Sequence, residues 1–210
     1  MNMKKTKLSD IILPSKKINY FVVTILLFGV ISGSIFLVIL DSGDKSGTVL
    51  QIQTFISNLS NNKVDGGLAL KSSLIINYIF VGLIWGLGLS IIGIIFNIFL
   101  TYIKGFVVGF SVASIFATYN YKGILMALLY LFPHQILNVI VVCVLTIYSI
   151  MFSLNLLEII VTKKVKKNYN MLKRYVVILL FSIIISFISS LLEVYLFPNL
   201  LKIIIDLYVK

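Results

Sequence analysis

Apolar residues in this chain run in long unbroken stretches rather than in the alternating or helix-periodic patches of a soluble fold, and charges gather between the stretches. A helix needs about 20 apolar residues to cross ~30 Å of hydrocarbon. Tyr20 to Leu40, Leu74 to Ile103 and Tyr175 to Phe197 meet that length, the last interrupted only by Glu193. Gly105 to Tyr121 is shorter and carries Ser111, Ser114, Thr118 and Asn120, and it reads as a further span. Gly123 to Thr162 holds a single charge over forty residues, about 60 Å as one straight helix, so it must fold back. "VIVVCVL" offers no turn, whereas Pro133 lacks an N–H and crowds the preceding turn. The pattern predicts a half-membrane or interfacial segment over 123–135, re-entrant or lying at the surface, and a crossing from Ile136 to Thr162. The expected fold class is all-α: a polytopic membrane bundle of about five transmembrane helices with one proline-broken segment.

Composition agrees, at 60% hydrophobic residues and a mean hydropathy of +1.08. The net charge of +11 changes the picture only through its location. Nearly all of it lies in the tail 1–19 and in Lys163 to Arg174, where basic residues mark cytoplasmic flanks, suit anionic headgroups and argue against nucleic acid. If both clusters are cytoplasmic, an even number of crossings separates them. Four spans do so, Lys104 then marks the cytoplasmic loop between the second and third, and the fifth leaves 199–210 outside. Tyr20 to Leu40 has no small-residue cleavage site and reads as an uncleaved first span. One membrane domain, 20–198, is expected.

Between the first two spans, the exterior loop 41–73 places Val49, Ile52, Phe55, Ile56 and Leu59 on one helix face, which predicts a helix lying on the outer leaflet or a docking surface. Gly66 and Gly67 supply the turn before the second span. Three G-x-x-x-G pairs, Gly29 with Gly33, Gly82 with Gly86 and Gly105 with Gly109, are expected at helix–helix contacts, since small residues let backbones approach where lipid removes the hydrophobic drive.

The inventory for chemistry is thin. One histidine and one cysteine exclude the usual zinc sets, Cys143 among valines reads as inert, and neither a nucleophile elbow nor a phosphate loop appears. No catalytic residue, metal or cofactor is expected. His134 and Asn138 share a face at i, i+4, with Gln135 beside them, and together they read as polar groups that satisfy the backbone freed by Pro133. A proton or ion relay would need ionisable partners at the same depth, and Glu193 is the one candidate. Glu193 itself reads either as a carboxylate reaching the outer headgroups or as a packing or partner contact.

The order "IWGLGLSIIG", "YIKGFVVGFSVA", "FPHQILN" and "FISSLLEVYLFP" resembles the stage II sporulation protein M family of endospore-forming bacteria. The resemblance implies five spans and a non-catalytic role in forespore engulfment. It further implies that the chain holds the peptidoglycan-degrading stage II sporulation proteins D and P at the septal membrane of the mother cell. The family's proline-containing polar segment corresponds to Pro133, Gln135 and Asn138, and its Glu-to-Pro ending to Glu193 and Pro198. By the same resemblance, an acidic residue often stands in broader relatives where this chain has Asn138, a departure that weighs against a relay. The alternative function is a small membrane transporter or permease subunit.

The layout predicts that alkaline phosphatase fused after Lys210 is active and fused after Lys167 is inactive; the opposite pattern would place the basic loop outside.

Overall fold

The computed structural model describes residues 16–60, 65–127, 132–162, 169–196 and 198–199. The helices, in chain order, are α1 (Lys16–Ile39), α2 (Ser42–Ser60), α3 (Gly66–Gly88), α4 (Gly93–Tyr119), α5 (Tyr121–Met126), α6 (Phe132–Thr162) and α7 (Tyr169–Leu191). α7 runs on into a π-helical turn, Leu192–Leu196. Among the described residues there is no strand. Five helices are long and apolar enough to cross a membrane: α1, α3, α4, α6 from His134, and α7 with its π turn. Consecutive crossings alternate in direction. One end of the bundle therefore carries Lys16, the α3–α4 turn and the α6–α7 connection, while the other carries α2, α5, the start of α6 and the π turn.

α6 is the central helix: 56% of its most apolar window is buried, against 17% to 33% for the other four, so the rest pack around it. Its Val141, Val142, Leu145 and Phe152 meet Val81 and Ile84 of α3 and Tyr175 of α7. The Tyr175 ring stacks between Phe152, at 5.0 Å, and Trp85, at 5.6 Å.

α1 and α4 run parallel in the tightest contact of the bundle. A Cβ built on Gly29 would strike the carbonyl oxygen of Tyr102, and one on Gly33 that of Phe106. In the other direction, Gly105 and Gly109 lie against the carbonyls of Leu26 and Val30. Only glycine lets the two backbones approach this closely. Ser34 and Ser32 add interhelical hydrogen bonds to the Gly109 carbonyl at 3.2 Å and the Tyr102 hydroxyl at 2.9 Å. Gly82 and Gly86 behave differently, since a Cβ on either meets nothing within 4 Å. The packing expected of that pair is not found within this chain: α3 turns Asn77, Val81, Ile84 and Gly88 to the core, a face that leaves 82 and 86 outside.

The largest departure from the sequence reading concerns the run Leu74 to Ile103. It is not one span with Lys104 in a cytoplasmic loop after it. The chain turns at Leu89–Ile92, between Gly88 and Gly93, and Lys104 lies buried in the middle of α4. Both glycines are required by close approach: a Cβ on Gly93 would strike the Leu87 carbonyl, and one on Gly88 the hydroxyls of Ser149 and Tyr175. The carbonyls left open at the end of α3 are taken from outside by Ser153, 2.8 Å from Gly88 O and 2.9 Å from Ser90 O. This compensation comes from another helix, which is why "LGLSIIG" does not announce itself as a turn.

Smaller differences follow the same logic. Asp65 caps α3 by accepting from the amides of Gly67 and Leu68, so Gly66 and Gly67 are its first residues rather than a preceding turn. α2 packs against α4 with Ile56 buried and Val49 and Ile52 half-buried, whereas Phe55 is exposed. Of the segment expected to fold back, α5 sits on α4 with Gly123 against the Ile115 carbonyl. Residues 128–131, the side chain of Pro133, most of the tail 1–19, the loop 163–168 and the tail beyond Asn199 lie outside the described residues.

Leucine at position 33 or 105 forces α1 from α4 and should cost at least about 1–3 kcal/mol of stability, the usual range for overpacking, whereas Gly82→Leu should be close to neutral. Thermal melts of the detergent-solubilised variants distinguish the two groups.

Candidate functional site

Polar side chains inside the bundle recur at helical spacing, and four of the five crossing helices contribute a row. α3 supplies Ser73 and Asn77, α4 supplies Asn97, Thr101 and Lys104, and α6 supplies His134, Asn138, Thr146, Ser149 and Ser153. α7 supplies Ser182, Ser186, Ser189 and Ser190. Apart from the half-buried Ser73, all of these are buried. Residues three or four apart share a helix face, so the rows meet as a seam that follows the bundle from one end toward the other.

At the end bearing the α3–α4 turn, the seam is a hydrogen-bond network in which the Asn97 amide oxygen and the Trp85 indole N–H have no partner among the described residues. The Asn97 amide donates to Ser149 Oγ and, at 3.1 Å, to the Ile84 carbonyl. Thr101 and Thr146 hydroxyls lie 2.9 Å apart, and the Tyr175 hydroxyl donates to the Trp85 carbonyl at 2.8 Å. Its chemistry is that of interhelical attachment.

At the end bearing α2 the seam becomes charged. The π turn brings Glu193 into the bundle, where Ser73 donates to its Oε2 at 2.6 Å and lies 2.9 Å from the Ser190 hydroxyl. Asn77 donates to Ser190 Oγ at 3.0 Å. The other carboxylate oxygen of Glu193 is 4.0 Å from His134 Nε2. His134 is 3% exposed and Glu193 31%, so the carboxylate forms the open edge of a buried cluster. Ser189 fastens α7 to the start of α6 by donating to the His134 carbonyl at 2.9 Å. One turn along from His134, Asn138 is buried and its amide oxygen has no donor among the described residues.

Deeper in the same region, Lys104 is 8% exposed and its ammonium sits 5.7 Å from the centre of the Phe80 ring. Among the described residues it has no hydrogen bond and no ion pair within 4 Å, and Glu193 is the carboxylate that acts on it through space. A buried ammonium is costly unless something offsets it, and the ring face and the carboxylate both lower that cost.

Of the residues singled out from the sequence, the structure brings His134 and Glu193 together, with Asn138 buried one turn along α6 from His134. The amide oxygen of Gln135 is buried without a donor among the described residues, and Pro198 follows the π turn half-buried. Glu193 therefore faces protein hydroxyls and an imidazole. The partners that sequence reasoning missed are Ser73, Asn77, Ser190 and Lys104. The three- and four-residue spacing of polar residues within each span was the signal that could have found them. Among the described residues, no group of three or more histidine, cysteine, aspartate or glutamate side chains could hold a metal ion.

A family model described as stage II sporulation protein M matches residues 22–198, and the chain belongs to that family. No curated protein and no solved structure matches it significantly.

Replacing Asn97 by alanine should lower the melting stability by about 1 kcal/mol, the usual scale for an interhelical hydrogen bond in a bundle. Thr118→Ala, which removes only a bond to the Ser114 carbonyl of its own helix, should change it by less.

Proposed function

For this membrane protein of the stage II sporulation protein M family, we propose the role of a non-catalytic scaffold. It anchors the peptidoglycan-degrading stage II sporulation proteins D and P at the septal membrane and positions them during forespore engulfment. The observation that carries the reading is the family match over residues 22–198, which starts within the first membrane-crossing helix and takes in the other four whole.

The architecture supports it in two ways. Most of the polar groups between the helices are spent on one another, as expected of a body built to hold its shape. Outside the spans, α2 packs against α4 with Ile56 buried while Leu50 and the polar Gln51 and Gln53 remain exposed, which offers a helical surface to a partner. In this reading the basic ends face the cytoplasm and α2 and the π turn face the wall, where the partners would be.

The charged cluster of Glu193, His134 and Lys104 favours a second reading, a small transporter or permease subunit, because ionisable groups within a span commonly mark a path for ions or solutes.

Copurification in mild detergent from sporulating cells decides between them. The scaffold reading expects proteins D and P to follow this chain, and expects Leu50→Lys with Phe55→Lys in α2 to reduce their recovery at unchanged levels of the chain. Failure of both to follow, with solute uptake by reconstituted vesicles, would replace the scaffold with the transporter.

A further inference from the structure

The cluster at the α2 end has a feature that holding partners does not require: an imidazole and a carboxylate share one buried edge. We propose that His134 and Glu193 hold one exchangeable proton between them, in a site whose charge balance is set by Lys104. The ligand is the proton itself, exchanged with water at the α2 end of the bundle. The inference stands on this geometry and not on the scaffold reading.

The approach of His134 Nε2 to Glu193 Oε1, at 4.0 Å, places an ionisable donor and acceptor one small displacement from contact. Glu193 is anchored through its other oxygen by Ser73, which leaves Oε1 for the imidazole. The carboxylate also sits in a π turn, a rare geometry frequently found at functional sites. A regular α-helical ending would have rotated residue 193 relative to α3 and α6. Because Glu193 is 31% exposed while His134 is 3% exposed, the carboxylate is the route by which a proton reaches the ring. Asn138 adds an unpartnered acceptor on the face of α6 that carries His134, an arrangement suited to a water molecule between the two.

Charge balance makes the proton exchangeable. Beside Glu193 stand His134 from α6 and the uncharged Ser73 from α3, whose hydroxyl is joined to Ser190 of α7 and Asn77 of α3, while Lys104 of α4 lies buried over Phe80, one turn along α3 from Asn77. Tyr195 on the π turn is exposed, as are Asp65 and Lys71 on α3, and the Asp65 carboxylate caps its own helix. With Lys104 and Glu193 charged and His134 neutral, the cluster has no net charge. Taking up a proton gives an imidazolium–carboxylate pair beside Lys104 and a net positive charge in a low-dielectric interior, so that state is reached only at a cost. Release returns the proton to water at the edge of Glu193 and leaves a neutral imidazole and a carboxylate.

His134 is the only histidine in the chain, so a protein labelled at histidine and purified without a histidine tag gives one imidazole signal. Its nuclear magnetic resonance titration in lipid nanodiscs tests the site. The wild type should show one step. E193Q and K104M should displace it in opposite senses, each by about one pH unit, because one removes a negative charge and the other a positive charge. E193D should stay closer to the wild type than E193Q. An imidazole step left in place by both E193Q and K104M would overturn the proposal. So would displacement in the same sense by both, which would mark loosened packing rather than charge coupling. Circular dichroism of each variant confirms that the helices compared are intact.

Discussion

Hydrocarbon offers a polar group no hydrogen bond, and the rest of this structure follows from that constraint. Hydroxyls and amides inside the spans accordingly find partners on other helices or on their own backbone, with the amide oxygens of Asn97, Gln135 and Asn138 as exceptions among the described residues. The α3–α4 turn shows how far this reaches. Its carbonyls are satisfied by Ser153 of α6, and the end of α3 by the Tyr175 hydroxyl of α7, so a four-helix arrangement is needed before the turn is affordable. Apolar packing adds less selectivity, because lipid is as apolar as the core. Shape supplies the remainder through the glycines that seat α1 on α4.

Span number and helix type were legible because length and hydropathy alone decide them. Charge was a poorer guide. Lys104, the only charged residue between Leu74 and Tyr121, reads as a loop marker, since a lysine beside an apolar run usually lies at the interface. In this bundle it is buried over the Phe80 ring, a contact made across two helices and 24 residues that no local pattern contains. The glycine pairs show the same limit. Gly29, Gly33, Gly105 and Gly109 read like Gly82 and Gly86, yet only the first four have a backbone against them, because which face of α3 turns inward is fixed by Asn77, Val81 and Ile84.

The polar cluster was half legible. His134, Asn138 and Glu193 stand out as scarce polar residues in apolar runs, whereas Ser73, Asn77 and Ser190 look like the ordinary small residues of membrane helices. What gathers them is the register of three helices and the extra residue of the π turn. The tight α1–α4 pair and the hydroxyl network fasten the helices to one another. The charged edge at the α2 end is the one place where the bundle departs from simple packing.

The claim on which this account depends is that α3 and α7 meet through their polar faces at the level of Ser73 and Ser190, whose hydroxyls lie 2.9 Å apart. Cysteines at both positions, in a chain with Cys143 replaced by alanine, test it directly in native membranes. Mild oxidation should join them within one chain, so that fragments cut between Lys163 and Arg174 stay together until reduced. Fragments that separate without reductant, or links that form only between copies, would contradict the account.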